Sequence, residues 1–89
     1  MNSEGNWRLH IEPAVLKTAQ KFPRKDADRI LDIIHNLPFN LYAGDVKKLG
    51  GEENTWRRRI GSYRIFYKLF PEKKIILVFH LERRTSATY

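Results

Sequence analysis

The sequence predicts an α+β fold, a mostly antiparallel sheet with a helical hairpin packed on one face, in the order β-α-α-β-β-β. Three observations carry that prediction. Apolar and polar residues alternate near the start of the chain and again through three runs in its last third, the period of half-buried strands. Between them, residues 13–37 repeat their apolar positions at helical spacing,. Two short turn sequences join the last three runs, which makes those strands antiparallel neighbours.

In Trp7 to Ile11, Trp7, Leu9 and Ile11 alternate with Arg8 and His10, giving a first strand with one buried face,. Glu12-Pro13 breaks it. Proline suits the first position of a helix, and a carboxylate beside a helix N-terminus is favourable. Ala14, Val15, Ala19 and Phe22 then mark a short helix that Pro23 ends,. A second helix follows from Arg24 to Leu37, with Ala27, Ile30, Leu31, Ile34 and Leu37 forming one apolar stripe,. Pro38 to Asn54 holds proline, asparagine, two adjacent glycines and few periodic apolar residues, and reads as a loop,. Trp56–Ile60, Tyr63–Phe70 and Lys74–Leu81 read as strands, joined at Gly61-Ser62 and at Pro71-Glu72-Lys73,.

At 89 residues the chain is expected to form a single domain, residues 1–89, with a modest core,. It has no cysteine, which excludes disulfide staples and thiolate zinc sites. Its three histidines are too scattered to suggest a metal centre,, and nothing in the pattern calls for a cofactor. The start, Met1 to Gly5, lacks the apolar core of a signal peptide,. The longest apolar stretch, Ile75 to Phe79, is strand-sized,. The expectation is a cytoplasmic protein with no membrane association.

Charge is distributed unevenly. Residues 1–55 carry 8 Lys/Arg against 8 Asp/Glu, whereas residues 56–89 carry 9 against 2, so the formal charge of +7 resides in the last third. Alternation divides it by face. Trp56, Arg58 and Ile60 share one side of their strand, Arg57 and Arg59 the other; Tyr63, Ile65, Tyr67 and Leu69 oppose Arg64, Phe66, Lys68 and Phe70,. If the aliphatic side covers the helices, Arg57, Arg59, Arg64 and Lys68 line the exposed side together. Cations crowded on one face repel unless an anion sits among them, and the arginine fork suits phosphate. For Lys68, Lys73 and Lys74 a solvated basic face is sufficient explanation. Tyr63, Tyr67, Trp56, Phe66 and Phe79 read as core, the usual place of strand aromatics,.

Lys48-Leu49-Gly50-Gly51 followed by Trp56-Arg57-Arg58-Arg59-Ile60-Gly61-Ser62-Tyr63-Arg64-Ile65-Phe66-Tyr67 resembles the RelE/ParE superfamily of bacterial toxin–antitoxin toxins. The shared pattern is a Leu-x-Gly turn, a basic strand, a glycine turn, then Tyr-Arg, two apolar residues and Tyr. Arg83-Arg84 and the terminal Tyr89 resemble the closing arginine and tyrosine of the RelE branch. The resemblance covers almost the whole chain. It implies a RelE-like fold, a metal-independent endoribonuclease cutting mRNA at the ribosome, and an acidic, partly disordered antitoxin partner. By position it implies that Arg64 stabilises the phosphorane-like transition state, that Arg83 binds phosphate or the leaving group, and that Tyr89 stacks on the nucleotide or activates the 2′-hydroxyl. It further implies RNA-backbone contacts from Arg57, Arg59 and, more weakly, Lys48, with Lys68 and Arg84 adding to the RNA-binding charge.

Proton transfer is the gap in that set, since arginine stays protonated. His80 and Glu82 are the residues able to exchange a proton near neutral pH. Strict alternation groups His80 with Val78 and Ile76, so a structural and a catalytic histidine remain equally open. Two other functions share the fold or the charge: a ParE-like inhibitor of DNA gyrase, and a non-catalytic basic RNA-binding module.

Overall fold

The computed structural model describes residues 7–42, 44–51 and 53–84. The elements are β1 (Arg8–Ile11), α1 (Pro13–Ala19), α2 (Arg24–His35), a 3-10 turn (Leu37–Phe39), β2 (Asp45–Lys48), β3 (Thr55–Ile60), β4 (Tyr63–Phe70) and β5 (Ile75–Arg83). They form one five-stranded sheet in the order β1-β5-β4-β3-β2. β1 runs parallel to β5, and every other neighbouring pair is antiparallel. The two helices pack on one face of the sheet, as the sequence predicts.

The core lies between them. Val15 and Ala19 of α1 and Ile30 and Ile34 of α2 close over Ile60, Tyr63, Ile65, Tyr67, Leu69, Ile76, Val78 and Leu81. Burying each large aliphatic side chain here contributes about 1.5–3 kcal/mol. Two phenols bind the layers by hydrogen bonds as well: Tyr63 Oη donates to Asp26 Oδ2 of α2 at 2.6 Å, and Tyr67 Oη donates to the Leu41 carbonyl at 2.7 Å. Burial chiefly pushes the Tyr67 pKa up to about 12, with Arg58 opposing. At Tyr63 the shift is also upward, caused first by the Asp26 hydrogen bond and then by burial, with Arg83 opposing.

The last strand runs on to Arg83 rather than ending at Leu81, and three further boundaries differ from expectation. The first helix stops at Ala19, and Gln20 to Phe22 continue as a turn whose amides donate to the carbonyls of Leu16, Thr18 and Ala19. The second stops at His35; Leu37 stays buried, but in the 3-10 turn that contains Pro38, since proline has no N–H to continue the helical hydrogen bonds. The segment expected to be a loop contains β2, an edge strand whose only partly buried residue is Val46. So short and polar a strand carries no alternating signal.

Gly61 takes φ +57° at the first position of the two-residue turn between Ile60 and Tyr63, a conformation that favours glycine. Along β4 and β5 the register slips once. Phe66 pairs with His80 and Tyr67 with Val78, which leaves Phe79 as an extra residue on β5, a β-bulge. From that point the two faces of β5 exchange. Ile76, Val78 and then Leu81 are buried against the helices, while His80 turns to the opposite face. Strict alternation would have put His80 and Glu82 under the helices and Leu81 outside.

Candidate functional site

The sheet face away from the helices is arranged in cross-strand rows. One row reads Asp45–Arg59–Arg64–Glu82, and the next reads Lys47–Arg57–Phe66–His80. Lys68 lies in a third row, between Thr55 and Leu77, with its ammonium 5.7 Å from the centre of the Phe70 ring.

In the first row two arginines stand directly opposite each other, a destabilising arrangement in isolation. Each has an acid on its outer side. Arg59 donates through Nε and Nη2 to Asp45 Oδ2, both at 2.8 Å. Arg64 Nη1 lies 4.0 Å from Glu82 Oε2. The two partners differ in what they leave free. Asp45 engages Arg59 at hydrogen-bond length, whereas the longer contact to Glu82 leaves Arg64 donors available to another anion. Arg64 is 23% exposed at its side chain, so an anion on it would be partly desolvated and its attraction strengthened,.

Glu82 is a meeting point. Besides Arg64, its Oε2 lies 3.9 Å from Arg84 Nη1, and its Oε1 lies 3.2 Å from His80 Nε2. The His80 side chain is 53% exposed and its ring centre lies 5.3 Å from that of Phe66. Two fixed cations, an imidazole and a carboxylate therefore share a few ångströms of open sheet. Arg57 adjoins them, and its Nε is shielded from solvent with no hydrogen-bond partner among the described residues. Chemically the cluster can neutralise an anion and exchange a proton beside it.

Arg57, Arg59, Arg64, Lys68, His80 and Arg84 come together on or at the rim of this face. Arg83 and Lys48 do not. The bulge at Phe79 reverses the faces of β5, so Arg83 pairs with the buried Tyr63 on the helix side, its guanidinium carbon 5.5 Å from the ring centre. Arg84 takes the position expected of Arg83. Lys48 pairs with Trp56 and faces the helix side of β2, and Lys47, opposite Arg57, lies on the open face instead. Tyr89 lies outside the described residues. Four members were missed: Lys47, Asp45, Glu82 as a contact of both arginines, and Phe66. No periodic signal marks the first two, since β2 is unreadable as a strand; the Glu82 contacts depend on the register of β4 against β5, and Phe66, although alternation puts it on the side of Arg64, reads as core because strand aromatics usually pack there.

Arg58 shows why the strand carries three consecutive arginines without concentrating all of them in the site. It faces the helix side with Trp56, beneath the segment that leads into β2. A Cβ at Gly44, where φ is +82°, would lie 2.6 Å from Arg58 Nη2, so glycine makes room for the guanidinium. Among the described residues, no set of three or more His, Cys, Asp or Glu side chains is grouped to hold a metal ion. No helix among them is long and apolar enough to cross a membrane.

A helical hairpin covers one face of a five-stranded sheet, and a cationic cluster occupies the other. Residues 5–87 match the family model described as ParE toxin of type II toxin-antitoxin system, parDE, and the chain belongs to this ParE/RelE toxin family. A protein of Methanocaldococcus jannaschii carrying the name toxin RelE1 is 27% identical over 84 residues, covering 91% of this chain and 93% of the relative. Among solved structures, the RelE of the archaeal RelE–RelB complex from Pyrococcus horikoshii OT3 superposes with a TM-score of 0.78 at 29% identity, covering 91% of this chain and 98% of that one. The isolated RelE toxin of E. coli has the same fold, with a TM-score of 0.70 at 17% identity and coverage of 91% and 87%. The protein is a toxin of a toxin–antitoxin system.

Proposed function

We propose that residues 1–89 act as one toxin domain and that the toxin is an endoribonuclease cutting mRNA, at the ribosome, in the cytoplasm. The observation that carries the reading is Glu82 lying within 4.0 Å of Arg64 and Arg84 and at hydrogen-bond distance from His80. Cleavage of RNA through its own 2′-hydroxyl needs in-line geometry, neutralised charge and proton transfer, but no protein nucleophile. The 2′-oxygen forms a bond to the adjacent phosphorus as the bond to the 5′-oxygen breaks, leaving a cyclic phosphate and a 5′-hydroxyl.

Arg64 and Arg84 neutralise the charge that builds on the non-bridging oxygens. The Glu82 carboxylate accepts the 2′-hydroxyl proton, and a protonated His80 gives one to the departing 5′-oxygen. The pair then holds as many protons as it began with, exchanged between its two members. Arg57 and Lys47 hold the neighbouring phosphates, and Arg59, already paired to Asp45, contributes less. Ends of RNA sequenced after induction in growing cells test this. Translation-dependent cuts that vanish with Arg64→Ala are expected, and intact mRNA in growth-arrested cells would refute it.

A second reading, inhibition of DNA gyrase, is favoured by the match to a model described for ParE toxins. Gyrase-linked DNA breaks with uncut mRNA would establish it. On either reading the partner is an antitoxin, in keeping with solved relatives held in RelE–RelB complexes. An acidic, partly disordered segment suits this chain. It would meet the basic sheet face electrostatically and find an apolar groove of about 410 Å³ between α1 and α2, lined by Leu16, Phe22 and Leu31 among others.

A further inference from the structure

We infer that Phe66, backed by the His80 imidazole, is a nucleobase-stacking platform that seats the nucleotide beside the scissile phosphate; this rests on the endoribonuclease reading and extends it to a subsite. Phe66 is the aromatic member of the row Lys47–Arg57–Phe66–His80. Both helices cover the other face, so its ring is flanked by Arg57 and His80 rather than roofed by the core. The Phe66 and His80 rings are tilted by 53° with centres 5.3 Å apart, and the ring centre of the bulged Phe79 lies 6.4 Å from that of Phe66. Phe66 is partly buried, so the remainder of its ring stays open to solvent on the basic face, where a flat ligand can cover it,.

Spacing fixes which ligand. Residues two apart on a strand face the same way about 6.7 Å from each other, so Phe66 lies one row from Arg64 on β4, as His80 does from Glu82 on β5. A phosphate on Arg64 and Arg84 thus puts the attached nucleoside over the next row. There a base meets a phenyl ring backed by an imidazole, groups that stack on any base without reading its edge,. The platform gives affinity and orientation to the nucleotide with little sequence preference.

The probes are a 2′-O-methyl single-stranded RNA, which cannot be cleaved, and an abasic strand of the same length and charge. Binding alone is measured, so absence of nuclease activity would not affect the outcome. The wild-type chain is expected to prefer the base-bearing strand by roughly tenfold or more. Phe66→Leu should bring the two affinities together while leaving the salt dependence unchanged, and Phe66→Trp should restore the preference. No wild-type preference, or a preference that survives Phe66→Leu, would overturn the platform. So would an equal loss of binding to an oligoglutamate of matched charge, because Phe66 would then be a peptide contact.

Discussion

His80 Nε2 lies 3.2 Å from Glu82 Oε1, two residues along β5 and on the sheet face opposite the helices. The pair lies on that face because Phe79, immediately before His80, has no partner on β4. The bulge reverses the strand and delivers an imidazole and a carboxylate to the face that already carries Arg57 and Arg64. Bulges beside functional groups re-aim side chains in this way.

Glu82 has two opposed effects, which one substitution separates. Its charge competes with an incoming phosphate for Arg64 and Arg84, while its oxygens take up a proton. Glu82→Gln keeps the shape and removes both. Binding of an uncleavable RNA should tighten, and cleavage should slow by about 100-fold, the scale of a lost proton acceptor. Parallel filter-binding and single-turnover measurements check this, and cleavage at the wild-type rate would remove Glu82 from the chemistry.

Asp45 holds Arg59 through two contacts of 2.8 Å to a single oxygen, with both side chains about half exposed. An exposed pair of this kind contributes no more than about 1 kcal/mol to stability. Asp45→Asn should therefore leave thermal unfolding nearly unchanged while freeing a guanidinium for RNA. If Arg59 then takes one more phosphate, the logarithmic salt dependence of single-stranded RNA binding steepens by about 0.7. An unchanged slope would show that Arg59 does not reach the RNA.

Tyr67 predicts an alkaline instability. Its pKa stands above the ordinary 10.0, at about 12, so the neutral phenol is favoured in the folded chain. The corresponding stability, about 3 kcal/mol, is fully present below pH 10 and is lost as pH climbs from there toward about 12,. Tyr67→Phe gives up the hydrogen bond to the Leu41 carbonyl, at a cost of about 1–2 kcal/mol near neutral pH, and it cannot ionise. Denaturant midpoints should show the variant weaker at neutral pH and stronger at the alkaline end. A constant difference across that range would contradict this assignment of the titration.

The helices and four of the five strands were legible because each repeats apolar residues over several turns or pleats: the stripe Ala27, Ile30, Leu31, Ile34 and Leu37, and the alternation Tyr63, Ile65, Tyr67 and Leu69. β2 was not, since one half-buried valine among three polar residues has no period. Arg57, Arg59 and Arg64 could be assigned to one face by counting within regular strands. His80, Glu82, Arg83 and Arg84 could not, because counting assumes an unbroken ladder and the extra residue at Phe79 is a property of the pairing with β4. A single inserted residue exchanges every side chain beyond it. That Lys47 rather than Lys48 lies on the open face was illegible for a related reason: the faces of β2 depend on its register against β3.

Arg83 and Arg84 are adjacent in the chain, yet the bulge assigns them to opposite faces, so only Arg84 can serve the site. Single-turnover cleavage of RNA by Arg83→Ala and Arg84→Ala, each checked for folding by circular dichroism, separates them. Arg84→Ala is expected to lose cleavage by about 100-fold or more. Arg83→Ala should keep most of the activity and lose about 1 kcal/mol of stability with its contact to the Tyr63 ring. Cleavage abolished by Arg83→Ala and retained by Arg84→Ala would contradict that assignment of faces.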